Sequence, residues 1–404
     1  MKILSLFDGI SCARVALERA GIPVEAYYAS EVDKYAMQIS AKNYPDIVQL
    51  GSVTKVGVYS RTDGCLITTP DDQEYHNIDL LIGGSPCQDL SIAKKDRKGL
   101  DGDRSGLFWE YVRILKEVKP KYFILENVNS MPKEAKAIIT EALGVEPIMI
   151  NAALVSAQNR KRLFWTNIPN VIQPEDRGIL LRDILEQDVD EKYSVNVSEK
   201  YGLKGLCEDK AKSLIASSYK GYGNDGVLII RVGQIGKGGQ GDRIYSPEGK
   251  SVGLSALGGG RGAKTGLYAV APNGKRIVIE KEGLLVLGER RTELGKQSRK
   301  EIRESTGRDS TLRSKDHKEY FAIDGIKANC ITTGLGMEGT IVEDYQIRKL
   351  TPTECERLQS LPDNYTEGVS NSQRYKMLGN AFNVDVVAHI LSSLDKPLSE
   401  KESK

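Results

Sequence analysis

Four short stretches of this chain carry residue types suited to covalent or binding chemistry. The apolar run Ile78–Gly83 leads into Gly84-Ser85-Pro86-Cys87-Gln88. Cys87 is there either a small buried hydrophobe, the commoner use of a free cysteine, or an exposed thiol whose thiolate attacks an electrophilic carbon. Tyr122–Leu125 runs into Glu126-Asn127-Val128. Glu126 is then either a surface strand end or a partly desolvated acid able to exchange a proton with a substrate. In Gln158-Asn159-Arg160-Lys161-Arg162 the two arginines alternate, so they share one face of a strand as a solvated basic edge or a cationic clamp. Finally, Phe7-Asp8-Gly9-Ile10-Ser11 offers a glycine for a tight turn, and Glu31 further on could accept hydrogen bonds from a ribose. The last glycine of the dinucleotide fingerprint is missing, which disfavours a nicotinamide cofactor.

These residues need elements that bring them together. Strands are predicted over Lys2–Phe7, Val24–Ser30, Ile78–Gly83 and Tyr122–Leu125. Helical patterns fall between them at Cys12–Ala20, Asp33–Lys42, Leu107–Val118 and Lys133–Leu143. Such alternation predicts a doubly wound, mostly parallel α/β sheet, with sites outside the carboxyl ends of its strands. From about residue 186 the texture changes to glycine-rich tracts separated by short β-type runs, such as Val227–Val232 and Arg276–Glu280. That pattern predicts a loop-rich, mainly β second domain. Helical pattern returns at Thr351–Ser360 and at Val384–Leu394.

Composition narrows the class. The 404 residues exceed one compact core, and 40% hydrophobic with 28% charged residues is the balance of a globular protein. No apolar run is long enough to cross a bilayer, and Met1–Ile10 does not read as a signal peptide. The six cysteines are scattered without a CxxC pair and there are three histidines, so a reduced cytoplasmic protein without structural zinc is expected. A net charge of +2 excludes a polycation that holds nucleic acid by bulk charge, yet leaves room for a local basic cleft.

Taken in order, five motifs resemble those of the cytosine-C5 DNA methyltransferases. They are FDGIS at Phe7–Ser11, PCQ at Pro86–Gln88, ENV at Glu126–Val128, QxRxR at Gln158, Arg160 and Arg162, and the Gly379-Asn380 turn. SLFDGI, ASEVD, GGSPCQDLS and RKGLDG are most similar to the vertebrate de novo enzymes, within surroundings that point to a bacterial or phage member. Three departures stand out: Ser11 where the family's motif has glycine, Ser52 where it often has aspartate, and a stretch from Tyr59 to His76 without an assigned role.

The resemblance implies a methyltransferase that uses S-adenosylmethionine, acts on double-stranded DNA as a monomer, needs no metal, and turns its target cytosine out of the duplex. C5 of cytosine is a poor nucleophile until a thiolate adds at C6 and breaks the aromaticity. By resemblance Cys87 is that thiolate, Glu126 acts as the acid at N3, Arg162 holds O2, and Arg160 lies near the ring or its backbone. Cofactor contacts are implied for Phe7, Gly9, Ser11, Glu31, Val32, Ser52, Pro86, Asn380 and Phe382. Gln88 and Ser91 would face DNA, and Arg231, Lys237, Arg243, Arg261 and Lys264 among the glycines are candidates for phosphate or guanine contacts. The implied organisation is a catalytic domain over 1–185, a target-recognition domain over 186–370, a returning segment over 371–395, and a disordered tail over 396–404. The alternatives are an RNA cytosine methyltransferase of the same fold and a catalytically silent DNA-binding relative.

Overall fold

The computed structural model describes residues 1–61, 64–68, 74–86, 105–194, 203–204, 229, 231–235, 240–255, 265–270, 286–291, 318–322, 327–328 and 346–394. Its centre is a seven-stranded sheet. The strands are β1 (Lys2–Leu6), β2 (Ala26–Ser30), β3 (Val48–Gln49), β4 (Leu80–Gly83), β5 (Tyr122–Val128), β6 (Ile148–Asn151) and β7 (Lys161–Thr166). They lie in the order β3-β2-β1-β4-β5-β7-β6. The pairs from β3 through β5 are parallel, and β7 runs antiparallel between β5 and β6. Winding proceeds outward from β1 through β2 and β3, then restarts on the other side at β4. The strand order therefore reverses between β1 and β4, and a crevice opens at their carboxyl ends.

Both faces of the sheet are covered, so its central strands are apolar on both sides: Ile3, Leu4 and Leu6 in β1 and Leu80, Leu81 and Ile82 in β4 are fully buried. One face packs against α1 (Cys12–Arg19) and α2 (Lys34–Asn43), the other against α3 (Phe108–Val118) and α4 (Lys133–Leu143). The unassigned stretch forms an antiparallel three-stranded sheet, Gly57–Arg61, Gly64–Thr68 and Glu74–His76, in the crossover from β3 to β4. Its first two strands pack against α3, and Arg113 Nη2 donates to the Val56 carbonyl at 3.0 Å beside them. It occupies the place a crossover helix would take.

Beyond residue 194 the described segments are short strands. Leu203–Lys204, Arg231–Ile235, Arg243–Tyr245, Leu267–Val270 and Gln346–Arg348 form one sheet, and Val286–Arg291, Lys318–Ala322 and Lys327–Ala328 form another. Of the strand expected at Val227–Val232, Arg231 and Val232 lie in the strand Arg231–Ile235, and 227, 228 and 230 lie outside the described residues. Arg276–Glu280 and the tail from 396 lie outside the described residues. The chain then returns in α5 (Pro352–Leu358), α6 (Asn371–Asn380) and α7 (Val384–Leu391). α7 lies against α1, and Arg19 at the end of α1 donates to Asp385 at 2.5 Å. Leu350, Cys355, Leu358, Leu361 and Tyr365 already share the α1–α7 core, so this packing begins ahead of residue 371. A capping box at Thr351 and Glu354 starts α5 there and turns its apolar residues inward.

Candidate active site

The Phe7–Ser11 turn lies in the crevice and is built from alternating left-handed residues: φ is +57° at Phe7, +62° at Gly9 and +59° at Ser11. A side chain on Gly9 would meet nothing within 4 Å, so the glycine is kept for its conformation and for open space above the turn. Across the crevice Glu31 follows β2. Its carboxylate accepts from the N–H of Gly9 at 2.8 Å, Val32 at 2.7 Å and Asp33 at 2.8 Å, which locks the end of β2 to the turn after β1. Beside it Val32 is 71% exposed. Asp33 caps α2 and is held by Lys376 of α6 at 2.6 Å. Burial pushes the Asp33 carboxyl up, but the Lys376 ammonium and the Tyr35 N–H outweigh it and leave it below the usual value.

This wall fits a nucleoside-bearing methyl donor. An anchored carboxylate can accept from a ribose hydroxyl with the lone pair left on Oε2, and an exposed valine offers a base an apolar face. Ser52 lies near it, after β3, with its Oγ 2.9 Å from Thr54 Oγ1. Ser11 does not belong to that wall. Its side chain is fully buried and turned away into the protein, with Oγ on Asp8 Oδ2 at 2.5 Å and Ser40 Oγ at 2.6 Å. The expected Ser11 contact to the cofactor is corrected accordingly. Beneath the turn, burial is the largest influence on Asp8 and pushes its carboxyl up, against the hydrogen bonds from Ser11 and Tyr27.

At the other end of the crevice, β4 delivers Gly84, Ser85 and Pro86. Asn127 of β5 anchors them by donating from Nδ2 to Ser85 Oγ at 3.1 Å and to the Ser85 carbonyl at 3.4 Å. Cys87, Gln88 and Ser91 follow and lie outside the described residues, as do Lys237, Arg261 and Lys264.

Glu126 is not the end of its strand. The antiparallel β7 pairs Phe164 with Glu126 and Arg162 with Val128, which carries the ladder past the acid. Its side chain is 13% exposed, with Oε1 2.7 Å from Arg162 Nε. Of the two readings of Glu126, the structure shows the partly desolvated acid, paired with arginine. A narrow recess around this pair is lined by Ile150, Phe164, Phe382 and Val386. Gly84 is needed there: a Cβ on it would fall 2.9 Å from the Phe382 ring and 3.1 Å from Glu126 Oε2. Phe382, expected at the cofactor, thus closes the Glu126 recess, while Asn380 is exposed at the end of α6.

Arg160 also reaches this recess, but its guanidinium is committed elsewhere. Nη1 donates to the Leu254 carbonyl at 3.2 Å, and Nη2 to the carbonyls of Gly379 at 3.1 Å and Ala381 at 2.9 Å. Through these three carbonyls Arg160 holds the wall of the recess that it lines. Gln158, on the same edge, accepts from the Leu254 N–H at 3.1 Å and donates to the Leu358 carbonyl at 3.2 Å. Sequence reasoning gave Asn127 no role of its own, although it stands inside the ENV motif.

The family model described as C-5 cytosine-specific DNA methylase matches residues 1–396. The chain belongs to that family. Among curated relatives, the orphan methyltransferase M.SPRI of Bacillus phage SPR is 28% identical, over 100% of this chain and 99% of that protein. The type II methyltransferase M.HhaI of Haemophilus parahaemolyticus is 26% identical, over 99% and 96%. Among solved structures, the S. pombe Dnmt2 methyltransferase gives a TM-score of 0.52 at 16% identity over 98% of each chain. The Entamoeba histolytica methyltransferase EhMeth gives 0.54 at 15% identity over 98% and 97%. These two likenesses show the fold.

As a member of the C-5 cytosine DNA methylases the protein methylates cytosine in DNA at C5, which sets aside the RNA and silent-relative readings. The paired acid and arginine suit that chemistry, because a cytosine edge presents both hydrogen-bond donors and acceptors. Among the described residues no group of three His, Cys, Asp or Glu side chains could hold a metal, and no helix is long and apolar enough to cross a membrane.

Proposed function

We propose that the protein transfers a methyl group from S-adenosylmethionine to C5 of a cytosine turned out of double-stranded DNA, as a DNA (cytosine-5-)-methyltransferase. Phe7, Gly9, Glu31, Val32, Ser52, Pro86 and Asn380 would hold the donor, which brings a methyl already activated on a sulfonium and so needs no metal. The Cys87 thiolate adds to C6 of the base and makes C5 nucleophilic. Glu126 faces the base edge with Oε2, accepting from the exocyclic amine or donating a proton at N3 as negative charge builds on the ring. Arg162 holds Glu126 from one side and offers its remaining N–H groups to O2. Arg160 keeps the Phe382 turn in place. After transfer water takes the C5 proton, the C5–C6 double bond re-forms, and the C6–S bond breaks to release the Cys87 thiolate.

The observation that carries this reading is the Glu126–Arg162 pair, enclosed by Phe382 at the crevice end that Gly84 also borders. For duplex contacts, the recognition sheet sets Arg231 opposite Tyr245 and Arg243 opposite Gln234 on neighbouring strands. Those two arginines, with Gln88, Ser91, Lys237, Arg261 and Lys264, are the proposed DNA contacts. Its likeness to phage and bacterial methyltransferases supports action in a bacterial or phage-infected cell, where we propose that it works on DNA as a monomer in the cytoplasm.

The test is methylation of duplex DNA with labelled donor, followed by mapping of 5-methylcytosine. Cys87→Ser is expected to abolish transfer while duplex binding persists, and a duplex carrying 5-fluorocytosine is expected to become covalently attached to the wild-type protein. Turnover by Cys87→Ser would remove Cys87 from the mechanism.

A further inference from the structure

Behind the Phe7–Ser11 turn, away from the crevice, lies a run of buried polar groups whose hydrogen inventory assigns it a direction. Ser11 Oγ donates to Asp8 Oδ2 at 2.5 Å and lies 2.6 Å from Ser40 Oγ. Tyr27 OH donates to the other oxygen, Asp8 Oδ1, at 2.6 Å. Gln49 Nε2 donates to Ser40 Oγ at 3.1 Å. A hydroxyl has one hydrogen. Ser11 gives its own to Asp8, so Ser40 must donate to Ser11. The relay from Gln49 through Ser40 and Ser11 therefore ends on the Asp8 carboxylate, where Tyr27 meets it. Ser11 and Ser40 have no solvent exposure.

The relay joins the two walls of the crevice. Ser11 ends the turn that carries Phe7 and Gly9. Ser40 lies on α2, whose first turn is continuous with Glu31 and Val32 on the opposite wall. Ser11 also sits at φ +59°, where an L residue is strained, and its buried hydrogen bonds hold it there.

We propose that Ser11 is a positioning residue for the methyl donor, acting through its hydroxyl relay to Asp8 and Ser40 rather than by contact. The proposal rests on the donor binding in this crevice as described above. Loss of the Ser11 hydroxyl leaves a strained turn with one anchor fewer and lets the two walls shift relative to each other. The effect belongs to donor binding, since among the described residues the hydrogen bonds of the relay run to Asp8, Tyr27, Ser40 and Gln49 and to none of the residues that line the Glu126 recess.

The experiment compares Ser11→Ala, Ser40→Ala and the double variant, using calorimetric titration with S-adenosylhomocysteine and steady-state kinetics well below the melting temperature. Each single variant is expected to weaken binding about tenfold and to raise the donor KM in parallel, with kcat and the KM for DNA within about twofold, the size of one buried hydrogen bond. The double variant is expected to fall short of the product of the singles, because both cut one relay. Weakened binding in Ser11→Ala with unchanged binding in Ser40→Ala would mean direct contact and overturn the proposal. So would unchanged affinity in both, or fully multiplicative effects. If Ser11→Ala does not fold, Ser40→Ala, a helix-favouring change, and Ser11→Gly, which relieves the backbone strain, carry the same test. A wild-type protein that binds no S-adenosylhomocysteine would sink the donor reading itself; wild-type binding with unaltered variants would sink this proposal alone.

Discussion

Glu126 and Arg162 form a pair whose separate removal should have different signatures. Glu126→Gln keeps the size of the side chain and its ability to hydrogen bond but cannot supply a proton as a carboxylic acid does. Transfer is expected to slow by about 10²–10⁴-fold, with duplex binding retained, in single-turnover assays. An unaltered rate would mean that another group serves the ring. Asp8 makes a second statement at this scale. Burial raises its carboxyl above the ordinary value of 3.8, so the folded chain binds that proton more tightly than the unfolded chain. Between 3.8 and the raised value the folded state carries more protons, and the contribution of Asp8 to stability falls as pH rises through that window. Urea midpoints of wild type and Asp8→Asn followed from pH 3.8 upward should show wild type losing ground to the variant as pH rises. A difference independent of pH would remove Asp8 as the cause.

At the level of elements, β7 and the turn before α7 decide what the recess looks like. Inserting β7 antiparallel beside β5 places Phe164 opposite Glu126 and brings the arginine pair to the same edge. Arg160 then ties that edge to Leu254 and to the Gly379–Ala381 turn. Its removal takes a buried donor from three carbonyls, of which Ala381 keeps Gln359 Nε2 at 3.3 Å. Arg160→Ala is expected to cost about 2–5 kcal/mol in urea denaturation, with transfer lost along with the Phe382 wall. Arg160→Lys, which has the charge without the planar fork, should recover part of the stability and little of the rate. Equal stability of wild type and Arg160→Ala would show that the turn is held by its other contacts, such as Gln359 Nε2 on the Leu378 carbonyl at 2.6 Å.

Across the whole molecule, segments far apart in the chain, around residues 186 and 350, meet at one carboxylate. Glu354 accepts from the Glu186 N–H at 2.9 Å and from the Thr351 N–H at 2.8 Å. It also receives Arg348 on both oxygens, at 2.8 and 2.6 Å, with both side chains at most 2% exposed. A buried pair gains little net stability from its charges, but breaking it leaves one charge without compensation. Glu354→Gln is expected to destabilise the protein by about 3–5 kcal/mol, and an apolar double replacement, Arg348→Met with Glu354→Leu, by less than that single change. Urea denaturation of the set checks it; a double variant worse than Glu354→Gln would show that the pair is a net stabiliser.

What could be read in the sequence alone was whatever depends on neighbours along the chain. The period of apolar residues marked the strands and helices of the α/β half, and the turn after each strand marked where a site would open. Pro86, Glu126, Arg162 and Glu31 stand next to those turns or strands, so their motifs were legible. The direction of the Ser11 side chain was not, because it follows from a left-handed backbone and from partners on α2 and in the turn itself. Nor was the commitment of Arg160, whose carbonyl partners lie 94 and more residues away in the chain. A long side chain settles on whichever acceptors the packed elements leave unsatisfied, and only the tertiary structure decides which those are.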